Sequence, residues 1–321
     1  MHPDALAILD RQRGLTYEAM PDPTPELLRE RLTAADGLLI RTAPVPEDAL
    51  SDAKRLRIVS RHGVGYDNVP LAPLNAAGIP LAVVGDVNSG AVAEHALWLM
   101  LMLAKKGRAQ DAAVREGKWE SRDRLNAIEL EGKILLLMGF GKIAAGVARR
   151  ARAFGMQVFA YDPYLEPRVM EDHDVKSVSD WRAFLHDADF ISLHLPRTEQ
   201  TEGLIGVTEL TAMKDKAFLI NTARGGLIDE AALAEALEEG RIGGAGLDTF
   251  DKEPLPFESA LIHSDRIVLS PHSAALTQEC MRRMGIAAVK NLLDGLEGRL
   301  DSALVVNSEA IGHTESQRAS D

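Results

Sequence analysis

Four spacings in this sequence bring together residue types that could do chemistry. The first is Gly139-Phe-Gly141-Lys142-Ile143-Ala144-Ala-Gly146, which follows the apolar run Ile134–Met138 and opens a helical pattern. Gly139 permits a tight turn, Gly141 lets backbone approach a pyrophosphate, and the third position needs only a small residue, here Ala144. The start of the helix then offers unpaired N–H groups and a positive dipole end to the diphosphate. Asp162 closes the next strand pattern about 20 residues further on, where a carboxylate can accept from both ribose hydroxyls. The spacing predicts a dinucleotide site. Asp162 also makes a 2′-phosphate electrostatically costly, so NAD(H) is expected rather than NADP(H).

The other three lie downstream. Asn221-Thr222-Ala223-Arg224-Gly-Gly-Leu-Ile-Asp229-Glu230 follows a strand pattern, and so does Leu247-Asp248-Thr-Phe-Asp-Lys-Glu253-Pro254. Ser270-Pro271-His272-Ser-Ala-Ala275 follows the last one. The carboxyl ends of parallel strands form the crevice where open α/β sheets bind ligands. An arginine, a glutamate and a histidine would therefore meet beside the cofactor. Histidine titrates near neutrality and can pass a proton, while a carboxylate on its other ring nitrogen fixes its orientation. Arginine can fork a substrate carboxylate and polarise a neighbouring oxo group, and backbone N–H groups near Val64-Gly65 could receive the same carboxylate. Hydride delivery to a 2-oxo acid, with a proton to its oxygen, would use this set. Plainer readings stand beside it: His272 as a loop cap, Glu253 as a solvated turn residue, Arg224 at a helix C-terminus, and Asp229-Glu230 as a helix cap. His62, His95 and His194 read as structural or as supports behind the residues that touch ligand, and without an H-E-x-x-H spacing no metal site is expected.

Alternating strand and helix patterns must position these residues, which predicts parallel α/β architecture. Early strand candidates are Leu6–Leu9, Gly37–Ile40, Leu56–Ser60 and Pro80–Val84, with helical patterns at Thr24–Leu32 and Asp48–Ala53. The central candidates are Ile134–Met138, Val158–Tyr161, Phe190–Leu193, Phe218–Asn221, Gly244–Leu247 and Ile267–Leu269. Several are unbroken apolar runs, as expected for strands covered on both faces. A long helix is expected from about Ala91 to Ala104 and another over Thr277–Leu296. If the second crosses back, the first domain is discontinuous. The expected division is residues 1–104 with 277–321 as a substrate domain and 105–276 as an NAD domain. The polar tail from Asn307 is expected to fray.

Composition narrows the class. The 321 residues suit two domains, and 46% hydrophobic with 26% charged content is globular. A net charge of −12 disfavours nucleic acid or an anionic membrane as partner. Cys280 is the single cysteine, which excludes an intrachain disulfide and suits a reducing compartment. Without a leader pattern or an 18-residue apolar run, the cytoplasm is the expected location.

The ordered segments resemble the D-isomer-specific 2-hydroxyacid dehydrogenase family over nearly the whole chain. The match includes Arg61-His-Gly63-Val64-Gly65-Tyr-Asp67-Asn68, similar to the family's substrate-carboxylate loop, and Asn88-Ser-Gly-Ala-Val92-Ala-Glu94-His95, similar to the start of its interdomain helix. The resemblance implies two doubly wound domains around a cleft, a flavodoxin-like substrate domain and a Rossmann NAD domain. It implies Arg224 as substrate clamp, His272 as acid/base and Glu253 as its partner. Cofactor contacts are implied at Gly139, Gly141, Lys142, Ile143, Asp162, Leu195, Pro196, Thr222, Ala223, Asp248, His272 and Ala275. Substrate contacts are implied at Arg61, Val64, Gly65, Arg224 and His272, with a homodimer formed through the nucleotide domain and the helix near Ala91–Ala104. Ala144 replaces the usual third glycine, Val84 stands where some relatives carry a cofactor-touching threonine, and Tyr66 replaces a commoner aliphatic residue. No regulatory domain is expected beyond residue 321. The resemblance leaves open glyoxylate or hydroxypyruvate, 3-phosphoglycerate and bulkier acids as substrates. A dinucleotide-sensing dimeric binding protein and a formate- or phosphite-type dehydrogenase are the alternatives, although formate-type relatives place an amide where Glu253 stands.

Overall fold

Unbroken apolar runs need cover on both faces, and parallel sheets flanked by helices provide it here. The structure is a computed structural model that describes residues 1–124 and 127–311. The chain divides into two units, Met1–Asn88 with Leu276–Asp321, and Ser89–Ala275. Among the described residues no helix is long and apolar enough to cross a membrane.

The first unit holds a parallel sheet of β1 (Gly37–Ile40), β2 (Ile58–Arg61) and β3 (Leu81–Ala82), in that order. Leu6–Leu9, expected as a strand, lies instead in the helix Pro3–Asp10. Pro3 occupies its first turn and His2 Nδ1 accepts from the Asp4 amide, 3.2 Å away. Ala5 and Leu9 are the buried pair, one helical turn apart. A four-residue apolar run fits either period, and the proline and the cap decide it. The helix Gln278–Leu296, capped by Thr277, covers β1 and β2.

Asn307 is not the start of a frayed tail. It is buried, its Oδ1 accepts from the Leu81 amide at 2.9 Å, and its Nδ2 donates to the Ile79 carbonyl at 3.0 Å. The Val83 amide donates to Leu304 and the Val306 amide to Leu81, so the segment runs antiparallel along β3. A polar residue at a strand edge satisfies backbone groups that would otherwise be exposed. The remainder of that expected tail, residues 312–321, lies outside the described residues.

The second unit carries seven parallel strands: β4 (Ile134–Met138), β5 (Gln157–Tyr161), β6 (Lys176–Ser177), β7 (Phe190–Leu193), β8 (Phe218–Asn221), β9 (Gly244–Leu247) and β10 (Ile267–Leu269). Their order is β10-β9-β8-β7-β4-β5-β6. The direction of winding reverses between β4 and β7, and such a switch point opens a crevice at the carboxyl ends. Only β6, short and exposed at the edge, was without a sequence signal.

The helix Ser89–Ala104 belongs to this unit, so the boundary falls at Asn88 rather than after Ala104. Its Ala93, Ala96, Leu99, Met100 and Leu103 share a core with Val147, Ala148, Ile220 and Val268. Burying Leu99 and Met100 is worth about 1.5–3 kcal/mol each, and that gain ties the helix to this sheet. The return boundary falls at Leu276, one residue before the expected one.

Candidate active site

The glycine turn is built by backbone. Gly139 follows β4 with φ +87, and a Cβ there would lie 2.6 Å from the His194 carbonyl oxygen, so only glycine fits. Gly141 is the N-cap of the helix Lys142–Ala153 and supplies no side-chain cap, and the space around its Cα is open. The first amides of that helix are therefore available to an anion. Ala144 is fully buried against the core, which accounts for the small residue at the third position. Lys142 is exposed and Ile143 half-buried.

Asp162 follows β5 and buttresses this turn. Its Oδ2 accepts from the Phe140 amide at 2.9 Å and its Oδ1 from the Tyr164 amide at 3.0 Å. Leu195 and Pro196 follow β7, and the Pro196 carbonyl accepts from Thr201 Oγ1. His194, beside them, has Nε2 2.9 Å from Ser192 Oγ, and burial pushes its pKa down to about 4.

The arginine loop follows β8. Asn221 is buried, its Oδ1 accepts from the Ala223 amide at 3.0 Å and its Nδ2 donates to the Arg224 carbonyl at 2.8 Å. Asn221 thus shapes the turn that presents Arg224, a role that sequence reasoning did not assign. An asparagine closing a strand before a tight turn is the available signal. Arg224 Nη1 donates to the Ala223 carbonyl at 2.7 Å. Thr222 Oγ1 is buried without a hydrogen-bond partner. A Cβ at Gly225 would sit 1.8 Å from the Phe250 carbonyl oxygen, so glycine lets this loop rest on the backbone just before Glu253. Arg197 ties the same region, donating to Asp251 at 3.0 Å and to Glu202 at 2.6 Å.

The histidine loop follows β10. His272 Nδ1 lies 2.8 Å from Glu253 Oε2, and Glu253 Oε1 accepts from the Phe250 amide at 3.1 Å. An ionised carboxylate only accepts, so Nδ1 carries the proton of this bond and Nε2 is the ring atom open to exchange. His272 has φ +50, an uncommon value for a non-glycine residue. Asp248, expected at the cofactor, uses both oxygens to hold this loop. Its Oδ1 accepts from Ser270 Oγ at 2.6 Å and the Ser273 amide at 2.8 Å, and its Oδ2 from the Ala274 amide at 2.9 Å. Ala275, next in the chain, is half-buried. Asp229 caps the helix Glu230–Glu238, but Glu230 takes no part in the cap, and its carboxylate accepts instead from the Asp251 amide at 2.7 Å.

Arg61, Val64 and Gly65 lie in the first unit. Arg61 folds over its own loop, with Nε 3.2 Å from Asn68 Oδ1 and Nη1 donating to the His62 carbonyl. Val64 and Tyr66 are exposed. His62 is buried with neither ring nitrogen hydrogen-bonded, and burial lowers its pKa to about 4.

A doubly wound parallel sheet with an open glycine turn at its carboxyl edge defines a dinucleotide-binding α/β protein, and the histidine–glutamate pair lies at the same edge. The uncapped helix start, the open space at Gly141 and the unpartnered Thr222 hydroxyl all fit a dinucleotide. Residues 97–274 match the family model described as D-isomer specific 2-hydroxyacid dehydrogenase, NAD binding domain. The chain is 38% identical over 306 residues to D-3-phosphoglycerate dehydrogenase of Methanocaldococcus jannaschii, covering 95% of this chain and 58% of that protein. It is 35% identical over 293 residues to glyoxylate reductase of Korarchaeum cryptofilum, covering 90% and 88% of the two chains. The solved structure of a glyoxylate reductase from Paecilomyes thermophila superposes with a TM-score of 0.85 at 30% identity, covering 96% of each chain. The chain spans little more than half the length of the first phosphoglycerate dehydrogenases it matches, 58% and 54%. The chain belongs to the D-isomer specific 2-hydroxyacid dehydrogenase family, and its second unit is the family's NAD-binding domain.

Proposed function

We propose that this protein is an NAD(H)-dependent dehydrogenase that interconverts a D-2-hydroxy acid and its 2-oxo acid. The observation that carries the reading is the 2.8 Å bond between His272 Nδ1 and Glu253 Oε2, at the carboxyl edge of the sheet that bears the glycine turn. Gly139, Gly141, Lys142 and Ile143 hold the diphosphate, and Asp162 takes the ribose. Leu195, Pro196, Thr222, Ala223 and Ala275 line the remainder of the cofactor site. When bound, the nicotinamide supplies or takes the hydride at the carbon that bears the substrate oxygen. Arg224 grips the substrate carboxylate and polarises the 2-oxo group. His272 Nε2 donates the proton to the carbonyl oxygen in reduction and takes it back in oxidation. Glu253 holds the ring in that orientation and offsets the imidazolium charge. In the first unit, the backbone at Val64-Gly65, steadied by Arg61, is the proposed substrate-carboxylate loop.

The protein is further proposed to act in the cytoplasm as a homodimer through its nucleotide unit. Trp98 on the helix Ser89–Ala104, Val114 on the helix Gly107–Arg115 and Trp119 are 41%, 62% and 65% exposed, an apolar set that a second copy would cover. Sedimentation as a monomer at micromolar concentration would remove the dimer.

The test of activity is NADH oxidation with glyoxylate, hydroxypyruvate, 3-phosphohydroxypyruvate and a bulkier 2-oxo acid. Turnover of at least one is expected, and the panel also identifies the substrate. NADH binding with turnover of none would favour a dinucleotide-sensing binding protein instead.

A further inference from the structure

The geometry points to His95 as a positioning residue that holds, through Ser270 and Asp248, the loop carrying His272. The inference rests on the reading of His272 as the proton carrier. His95 lies on the helix Ser89–Ala104, remote in sequence from the loop, and its Nε2 is 2.7 Å from Ser270 Oγ. Ser270 Oγ is 2.6 Å from Asp248 Oδ1. The His95 and Asp248 side chains are only 17% and 1% exposed, so these bonds form out of bulk water, where an unmade one is expensive.

The direction of each bond follows from donor arithmetic. Asp248 already accepts from the Ser273 and Ala274 amides and has no proton of its own to give when ionised. Ser270 must therefore donate its hydroxyl hydrogen to Asp248, since its other acceptor, the Leu247 carbonyl, is 3.5 Å away. That leaves the Ser270 oxygen as acceptor, and His95 donates to it from Nε2–H. The chain of donation is His95 to Ser270 to Asp248, with the two loop amides closing on the same carboxylate. Burial lowers the pKa of His95, against the opposing pull of Asp248, and the neutral Nε2–H tautomer is the form the chain requires. The ring is steadied by Trp98, with centroids 4.9 Å apart.

This anchoring matters because His272 sits at φ +50, a conformation that persists only where its surroundings over-determine it. The Ser270 carbonyl accepts from the His272 amide at 3.1 Å. Ser270 and Asp248 thus fix the loop on both sides of His272, and His95 fixes Ser270.

Two variants separate positioning from packing. His95→Leu removes the donor and keeps a buried apolar side chain, while His95→Gln keeps an N–H donor. His95→Leu is expected to lower kcat about 10-fold with a smaller change, within about three-fold, in NADH affinity and KM, since the histidine loop shifts while the glycine turn that holds the diphosphate does not. His95→Gln is expected to recover kcat to within about three-fold of the parent. Nitrogen NMR of the histidine rings supplies a readout that needs no turnover: His95 as the Nε2–H tautomer, and His272 signals that move in His95→Leu and return in His95→Gln. Unmoved His272 signals in folded His95→Leu, or equal loss in both variants, would overturn the proposal. If the parent turns over no 2-oxo acid, the NMR comparison still decides the positioning role, so the two readings fail separately. Ser270→Ala cuts the same chain from its other end and serves if His95→Leu does not fold. Unmoved His272 signals there overturn it equally.

Discussion

The glycine turn after β4 and the histidine loop after β10 stand at the carboxyl ends of one sheet, yet they are built on opposite plans. The glycine turn is backbone against backbone, with Gly139 against the His194 carbonyl and one carboxylate, Asp162, steadying it. The histidine loop is held by side chains from distant positions: Glu253 on the ring, Asp248 on the flanking amides, and Ser270 and His95 behind them. Each region has a histidine, and the two differ in kind. His194 is pressed toward neutrality by burial and bonded to Ser192, whereas His272 is half exposed and paired with a carboxylate. On the proposed function, the first is a binding surface that tolerates little change in shape, and the second a proton carrier that depends on a few groups.

The largest effect should come from His272→Ala. Turnover with a saturating 2-oxo acid is expected to fall roughly 10³-fold while NADH affinity changes by only a few-fold, because the proton step is lost and the glycine turn is untouched. Retained turnover would dissolve the contrast between the two regions.

Gly139→Ala should do the reverse. The added methyl meets the His194 carbonyl at a backbone angle that alanine resists, for a cost of roughly 3 kcal/mol or more. Thermal unfolding should drop and NADH binding should weaken together, with the His272–Glu253 pair unaffected. An unchanged melting temperature would show that the turn yields more easily than its geometry implies.

Acid should then distinguish the histidines. His62 and His194 have folded pKa values of about 4 against an ordinary 6.5, so below pH 6.5 the unfolded chain binds protons that the native one refuses. Their contribution is present above about pH 6.5 and is lost as pH falls toward 4, by up to about 3 kcal/mol for each ring. His194→Gln should flatten part of that loss in denaturant titrations while leaving turnover at neutral pH within about two-fold. An acid slope equal to the parent's would remove His194 from the account.

The smallest effect is expected from Asp162→Ala. The preference for NADH over NADPH should narrow about ten-fold, through lost ribose recognition and relieved repulsion of the 2′-phosphate. A parent protein that already prefers NADPH would contradict the role given to Asp162.

The same contrast explains what the sequence made legible. The glycine turn and Asp162 are local, set by spacing along one strand–turn–helix, and they read directly from residue order. The strands β4, β7, β8, β9 and β10 were equally plain because a sheet covered on both faces needs unbroken apolar runs. Arg224, Glu253 and His272 were legible as residues, and that Glu253 bonds His272 was a reading of type and place. The support behind them was not. The sequence assigns Asn221 no role, and it does not show that the Asp248 oxygens hold the histidine loop. Hydrogen bonds across 22 to 175 residues leave no local periodicity. Leu6–Leu9 and Asn307 were misread for a related reason: a cap at His2 and a bond to Leu81 settle them, and neither shows in a hydrophobic pattern.

The antiparallel seam along β3 has a consequence for synthesis. Leu81 leaves the ribosome 226 residues before Asn307, its hydrogen-bond partner. At 5–20 residues per second that is a wait of roughly 10–45 s. Meanwhile every strand of the second unit has emerged and can pair. The unit that holds β1, β2 and β3 is therefore the last to be completed, and β3 keeps an unpaired edge until then.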